Sequence, residues 1–148
     1  MDERGFIAPT TVEEAEAVYD DVAPVAREVI REVTVAIDPG GDLYRNEVTP
    51  EVLATTRAAL FASLLRVSTG PRAAFDAWLD QPPYDEFDIE IEGSEHVEHV
   101  AWHAAPMANR VLAATYHAER DAAIATLRRM AWGKIYHPVV ADRDADDA

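Results

Sequence analysis

The sequence predicts an α+β fold with four N-terminal helices, a three-stranded antiparallel β-meander and a C-terminal helix packed on the sheet. Three observations carry that prediction. Apolar residues recur at helical spacing through the first half of the chain, up to the stop at Gln81-Pro82-Pro83. The pattern then changes to strict alternation, with Phe87, Ile89 and Ile91 separated by Asp88 and Glu90. Helical spacing returns between Glu119 and Tyr136.

Residues 1–10 lead in, with Phe6 and Ile7 expected to pack down. Thr11 followed by Glu14 is a capping box, so a first helix runs over residues 11–20. Pro24 suits a first helical turn and opens a second helix. Val22, Val25, Ala26, Val29, Val33, Ala36 and Ile37 form its apolar face, opposite Arg27, Glu28, Arg31 and Glu32. Asp38-Pro39-Gly40-Gly41-Asp42 breaks it. No strand precedes this Gly-Gly and no Gly-Lys-Ser/Thr follows, so it is a turn and not a phosphate cradle.

Thr49-Pro50-Glu51 restarts a helix with a cap, a first-turn proline and an acid that suits the dipole. Leu53, Leu60, Phe61, Leu64, Leu65 and Val67 cover more than one narrow stripe, so this helix is expected to be the most central one. Gly70-Pro71 ends it and begins a fourth, whose edge is Phe75, Trp78 and Leu79. Strands follow over residues 87–92, 98–104 and 110–117, with turns at Gly93-Ser94 and Pro106-Met107-Ala108-Asn109. Residues 1–140 are expected to form one domain and residues 141–148 a disordered acidic tail.

Composition narrows the chemistry. A chain of 148 residues with 49% hydrophobic side chains can bury about 70% of its unfolded surface without a metal or disulfide. The absence of cysteine excludes disulfides, zinc ribbons, iron–sulfur clusters and thiol nucleophiles. A net charge of -15, from 13 basic and 28 acidic residues, repels nucleic acid. No apolar run approaches the ~20 residues that span a bilayer, and residues 1–4 do not read as a secretory signal. The expected setting is cytoplasmic. Lys134 is the single lysine against twelve arginines. With the abundant acids and alanine, this suits a salt-rich cytosol, where a Debye length of ~3 Å at molar salt screens surface carboxylates from one another. No Gly-x-Ser-x-Gly elbow and no Ser-x-x-Lys is present.

Three stretches together resemble a small family of uncharacterised proteins from halophilic archaea. They are Arg57-Ala58-Ala59-Leu60-Phe61-Ala62-Ser63-Leu64-Leu65, Val100-Ala101-Trp102-His103-Ala104-Ala105-Pro106, and Ala125-Thr126-Leu127-Arg128-Arg129 with Gly133-Lys134-Ile135-Tyr136. The resemblance spans most of the chain apart from the acidic tail. It implies an organism type and a compartment, and no activity, cofactor or catalytic residue.

Two features carry candidate chemistry. His96, His99 and His103 fall within eight residues. On a helix they share one face and can chelate a metal, with Glu92 or Glu95 as a fourth group. On a strand His99 and His103 stand about 13 Å apart, too far for one ion. A strand also puts Val100, Trp102 and Ala104 on one buried face, whereas a helix turns Trp102 away from its apolar stripe. Burying a Trp is worth roughly 2 kcal/mol or more, so the strand is favoured and no cofactor is expected.

The second feature is Arg128, which falls inside the apolar arc of the last helix. A guanidinium there needs a partner. Trp132 at i+4 offers a cation–π face, and Glu90 or Glu92 an ion pair. Otherwise Arg128, assisted by His103 or Lys134, forms a pocket for a small anionic ligand. These alternatives separate two functions. A filled ion pair favours a non-catalytic interaction or accessory protein, with a protein partner or self-association. A concave site and no carboxylate on Arg128 favour a small enzyme or ligand sensor.

Overall fold

The computed structural model describes residues 1–94 and 96–146. Five strands build one mixed sheet: β1 (Asp2–Arg4), β2 (Val67–Pro71), β3 (Asp88–Glu92), β4 (His99–Ala105) and β5 (Arg110–Tyr116). Their spatial order is β1-β2-β4-β5-β3. Three pairings are antiparallel, and β3 lies parallel to β5 at one edge. The α+β class therefore holds, and the three-stranded antiparallel meander does not.

The three expected strand segments do form strands, but β5 inserts between β4 and β3. The β4–β5 hairpin closes locally through Pro106 and Asn109, which adopts φ 53°. That leaves β5's outer side as the place where β3 pairs. Ile89 and Ile91 were expected to be buried. At this edge they remain 46% and 40% exposed.

β2 was read as the end of a helix. Its Val67, Ser68 and Thr69 are buried; all three pair with β1, and Ser68 and Thr69 pair with β4 as well. β-branched residues fit such a surface better than a helix terminus. β1 had no sequence signal. Residues beyond it are tied down by backbone bonds from Phe6 N and Ile7 N to Leu64 O, and from Arg66 N to Ile7 O. Ile7 packs on the core, whereas Phe6 is 77% exposed.

The two helices expected on either side of Pro24 are one continuous α1 (Val12–Ile37). Pro24 removes a single helical hydrogen bond, and the buried face of Ala15, Tyr19, Val22, Ala23, Ala26 and Ile30 outweighs that loss. Thr11 caps the helix by accepting from Glu14 N at 3.1 Å. Glu14 answers to Thr10 instead of Thr11, and those bonds lower its pKa. Next comes a short α2 (Asp42–Glu47), which the sequence left as loop. Then follow α3 (Pro50–Leu64), capped by Thr49, and α4 (Arg72–Leu79).

The last helix is α5 (Arg120–Ala131). A π-helical turn at Trp132–Tyr136 follows it, then α6 (His137–Val140). Asp142–Asp146, assigned by sequence to a disordered tail, forms a further short helix, α7. It is held by Arg143, which binds Asp20 and Glu16 of α1. Residues 147 and 148 of that tail lie outside the described residues.

Helices cover both faces of the sheet's centre. Ala101, Ala105, Leu112 and Ala114 pack under α1, α3 and α5 with Phe61, Leu127 and Tyr136. Val100, Trp102, Val111 and Ala113 pack under α4 with Phe75. Burial on both sides explains why β4 and β5 are rich in alanine. Among the described residues no helix is long and apolar enough to cross a membrane.

Candidate arginine site at the β1 edge

β4 places His103 on the α5 side of the sheet, 1% exposed. Its Nδ1 lies 2.7 Å from Arg66 O, and a carbonyl only accepts, so Nδ1 carries the proton. Tyr136 Oη then donates to Nε2 at 2.6 Å. Burial pushes the His103 pKa down to about 4, with the nearby Arg128 charge acting in the same direction. The residue is a neutral, fully bonded core histidine. Burial likewise raises the Tyr136 pKa.

The other histidines stand apart from it. His96 lies in a turn, and His99 is exposed and stacks on Tyr116 at 5.4 Å. Glu92 belongs to the β3 edge, and Glu95 lies outside the described residues. The structure does not gather His96, His99 and His103 around one point. Among the described residues no group of three or more His, Cys, Asp or Glu could hold a metal ion.

Arg128 emerges on the same side as His103. Its Nε donates to Leu65 O at 3.0 Å. The chain passes directly over the guanidinium at Gly5, whose φ is +96°. A Cβ there would stand 2.8 Å from Nη2 and 2.3 Å from Leu65 O, so only glycine fits. Arg128 has no carboxylate partner among the described residues. Partial burial lowers its pKa, and the charge of Arg4 lowers it further. Arg4 and Arg128 line an open depression of about 210 Å³ with Asp121, Ile124 and Ala125. Asp121 reaches Arg4 only at 4.0 Å, and it also faces Arg120 at 4.0 Å.

The partners that the sequence offered to Arg128 go elsewhere. Trp132 stacks on Tyr19 at 5.6 Å and packs at a tilt against Phe61 at 5.5 Å. Glu90 pairs with Lys134 and, at 3.7 Å, with Arg110. Those contacts hold its carboxyl below the usual carboxylate range. Lys134 is therefore engaged away from Arg128. Of the four candidate ligand residues, the structure brings Arg128 and His103 near one another and leaves Trp132 and Lys134 apart.

Sequence reasoning overlooked the arginine that is buried. Arg57 is 3% exposed in α3. Its Nε donates to Tyr19 O at 2.8 Å, and its terminal nitrogens reach Asp20 at 3.3 Å and Asp144 at 3.4 Å. Its guanidinium sits 3.8 Å from the Tyr19 ring centroid. A signal was present, since Leu53, Arg57 and Phe61 recur at four-residue spacing on the apolar face of α3. Beside Arg57 the helices leave a crevice of about 20 Å³, enough for one water.

Fold and site thus define a class: a mixed α+β protein with helices on both sheet faces and an arginine pair at one edge. Residues 6–137 match the model of a family of unknown function, DUF5809, and the chain belongs to that family. Comparison with curated proteins found no match, and comparison with solved structures found none either.

Proposed function

We propose that the protein binds a small anionic ligand, a carboxylate or phosphate, at the depression between Arg4 and Arg128. The carrying observation is that Arg128 is partly desolvated, faces a second arginine and has no carboxylate partner among the described residues. A bidentate oxyanion on the terminal guanidinium nitrogens would relieve that repulsion. Nε is already fixed on Leu65 O, so the fork is oriented before a ligand arrives. This describes binding and sensing, with no reaction assigned. The −15 charge supports a salt-rich cytosol as the setting.

Calorimetric titration with inorganic phosphate tests the reading. Charge-assisted hydrogen bonds are worth about 1.5–3 kcal/mol, so Arg128→Ala should weaken phosphate roughly ten- to a hundredfold. Equal affinity in wild type and variant would refute the site.

A second reading, a non-catalytic interaction protein, has its own support. Val25, Val29 and Val33 recur every four residues along α1 and are 49%, 40% and 53% exposed. Such a stripe suits a protein partner. A partner that copurifies with the wild type and is lost with Val29→Lys, while Arg128→Ala retains it, would favour this reading.

A further inference from the structure

β3 ends the sheet, and no strand pairs with its outer side among the described residues. Open edges are normally blunted by shortness, proline, bulges or charged side chains, lysine above all. The opposite edge, β1, is three residues long. β3 has five residues, no proline and no lysine. Its two faces differ sharply. Ile89 and Ile91 pair in register with Val111 and Ala113, on the α4 side, yet stay 46% and 40% exposed. Asp88, Glu90 and Glu92 alternate with them and point to the other face.

That alternation decides what can add to the edge. Suppose a second copy of β3 paired here with isoleucines beside isoleucines. Parity would then set each acid opposite another acid in every register, parallel or antiparallel. Directly opposed like charges destabilise a strand pair. A register that avoids this puts acids beside isoleucines. The edge is therefore guarded against its own kind and remains open to a strand of opposite charge.

We propose that β3 is a docking edge for an extended segment of another protein in which Lys or Arg alternates with β-branched residues. The partner's backbone would complete the ladder. Its apolar side chains would cover Ile89 and Ile91, and its cations would face Asp88 and Glu92, since Glu90 is already held by Lys134 and Arg110. This surface is separate from the Arg4–Arg128 depression, so either proposal can fail alone.

The test uses the full chain and three short synthetic peptides. One alternates lysine and valine. The second has the same composition in blocks. The third is the alternating peptide with every second backbone nitrogen methylated. The alternating peptide should bind and slow amide exchange in β3 and not in β1. The block and methylated peptides should bind at least tenfold more weakly. Asp88→Lys combined with Glu92→Lys, both exposed positions, should cost the alternating peptide roughly tenfold. Equal binding of all three peptides would mean loose charge attraction and would overturn the proposal. So would absence of binding, protection that maps elsewhere, or a homodimer formed through β3 without peptide.

Discussion

Arg57 and Arg128 project from two helices that pack on the same core, α3 and α5, and their surroundings differ in almost every respect. Arg57 sits between α1 and α3 with Asp20, Asp144 and two backbone carbonyls around it and the Tyr19 ring beneath it. Arg128 has one carbonyl, a glycine pressed over it and a second arginine for company. A buried cation is tolerable only where acceptors converge on it. The convergence at Arg57 depends on α7, which delivers Asp144 and is itself clamped by Arg143 to Asp20 and Glu16. Among the described residues no corresponding acidic segment reaches Arg128. One arginine is thus a fastener, and the other is part-buried with no carboxylate partner among the described residues.

The sharpest way to break this contrast is to truncate both. Arg57→Ala leaves the Tyr19 carbonyl without its buried donor, while Asp20 keeps Arg143 and Asp144 keeps the Tyr19 hydroxyl, so the loss should be about 1.5–3 kcal/mol in denaturant unfolding. Arg128→Ala should cost less than about 1 kcal/mol in the same assay, because little carboxylate pairing is lost. Equal losses would erase the distinction.

His103 supplies a pH test. Its folded pKa of about 4 is below the ordinary 6.5, so the unfolded chain takes up the proton first. Stability is therefore complete above pH 6.5 and falls as pH drops from 6.5 towards 4, by about 3 kcal/mol over that window. His103→Gln should flatten the slope in that interval. Asp20 acts lower. Its carboxyl is held below 3.8 mainly by the hydrogen bond from Arg143, so its contribution goes only as pH falls below that value. The smallest effect belongs to the surface. Lys134→Ala breaks an exposed pair with Glu90 and should change stability by less than about 1 kcal/mol, measured by thermal unfolding.

The legible parts of the fold were those fixed by neighbours in sequence. Thr11 and Thr49 announce their helices because a cap is satisfied within three residues. β4 was legible because only a strand buries Trp102 alongside Val100. The illegible parts depend on distant contacts. Val67 continues an apolar helical run, and only its pairing with Arg4 of β1 makes it a strand residue. Sheet order is invisible for the same reason, since the alternation of β3 does not say which strand it joins. Arg128 falls in the apolar arc of its helix, but Glu90, one of the acids offered to it, pairs with Lys134 and Arg110, and the acids that do hold an arginine, Asp20 and Asp144, stand at Arg57. Those acids sit partly in a segment that composition alone marks as a disordered tail.

The most direct test of the central contrast is a nuclear magnetic resonance titration of arginine Nε–Hε groups with inorganic phosphate at fixed ionic strength. The Arg128 and Arg4 signals should move together and saturate, while Arg57, enclosed by its own carboxylates, stays still. If Arg128 fails to respond, or if every exposed arginine drifts alike without saturation, Arg128 is not a ligand site and the contrast with Arg57 has no functional meaning.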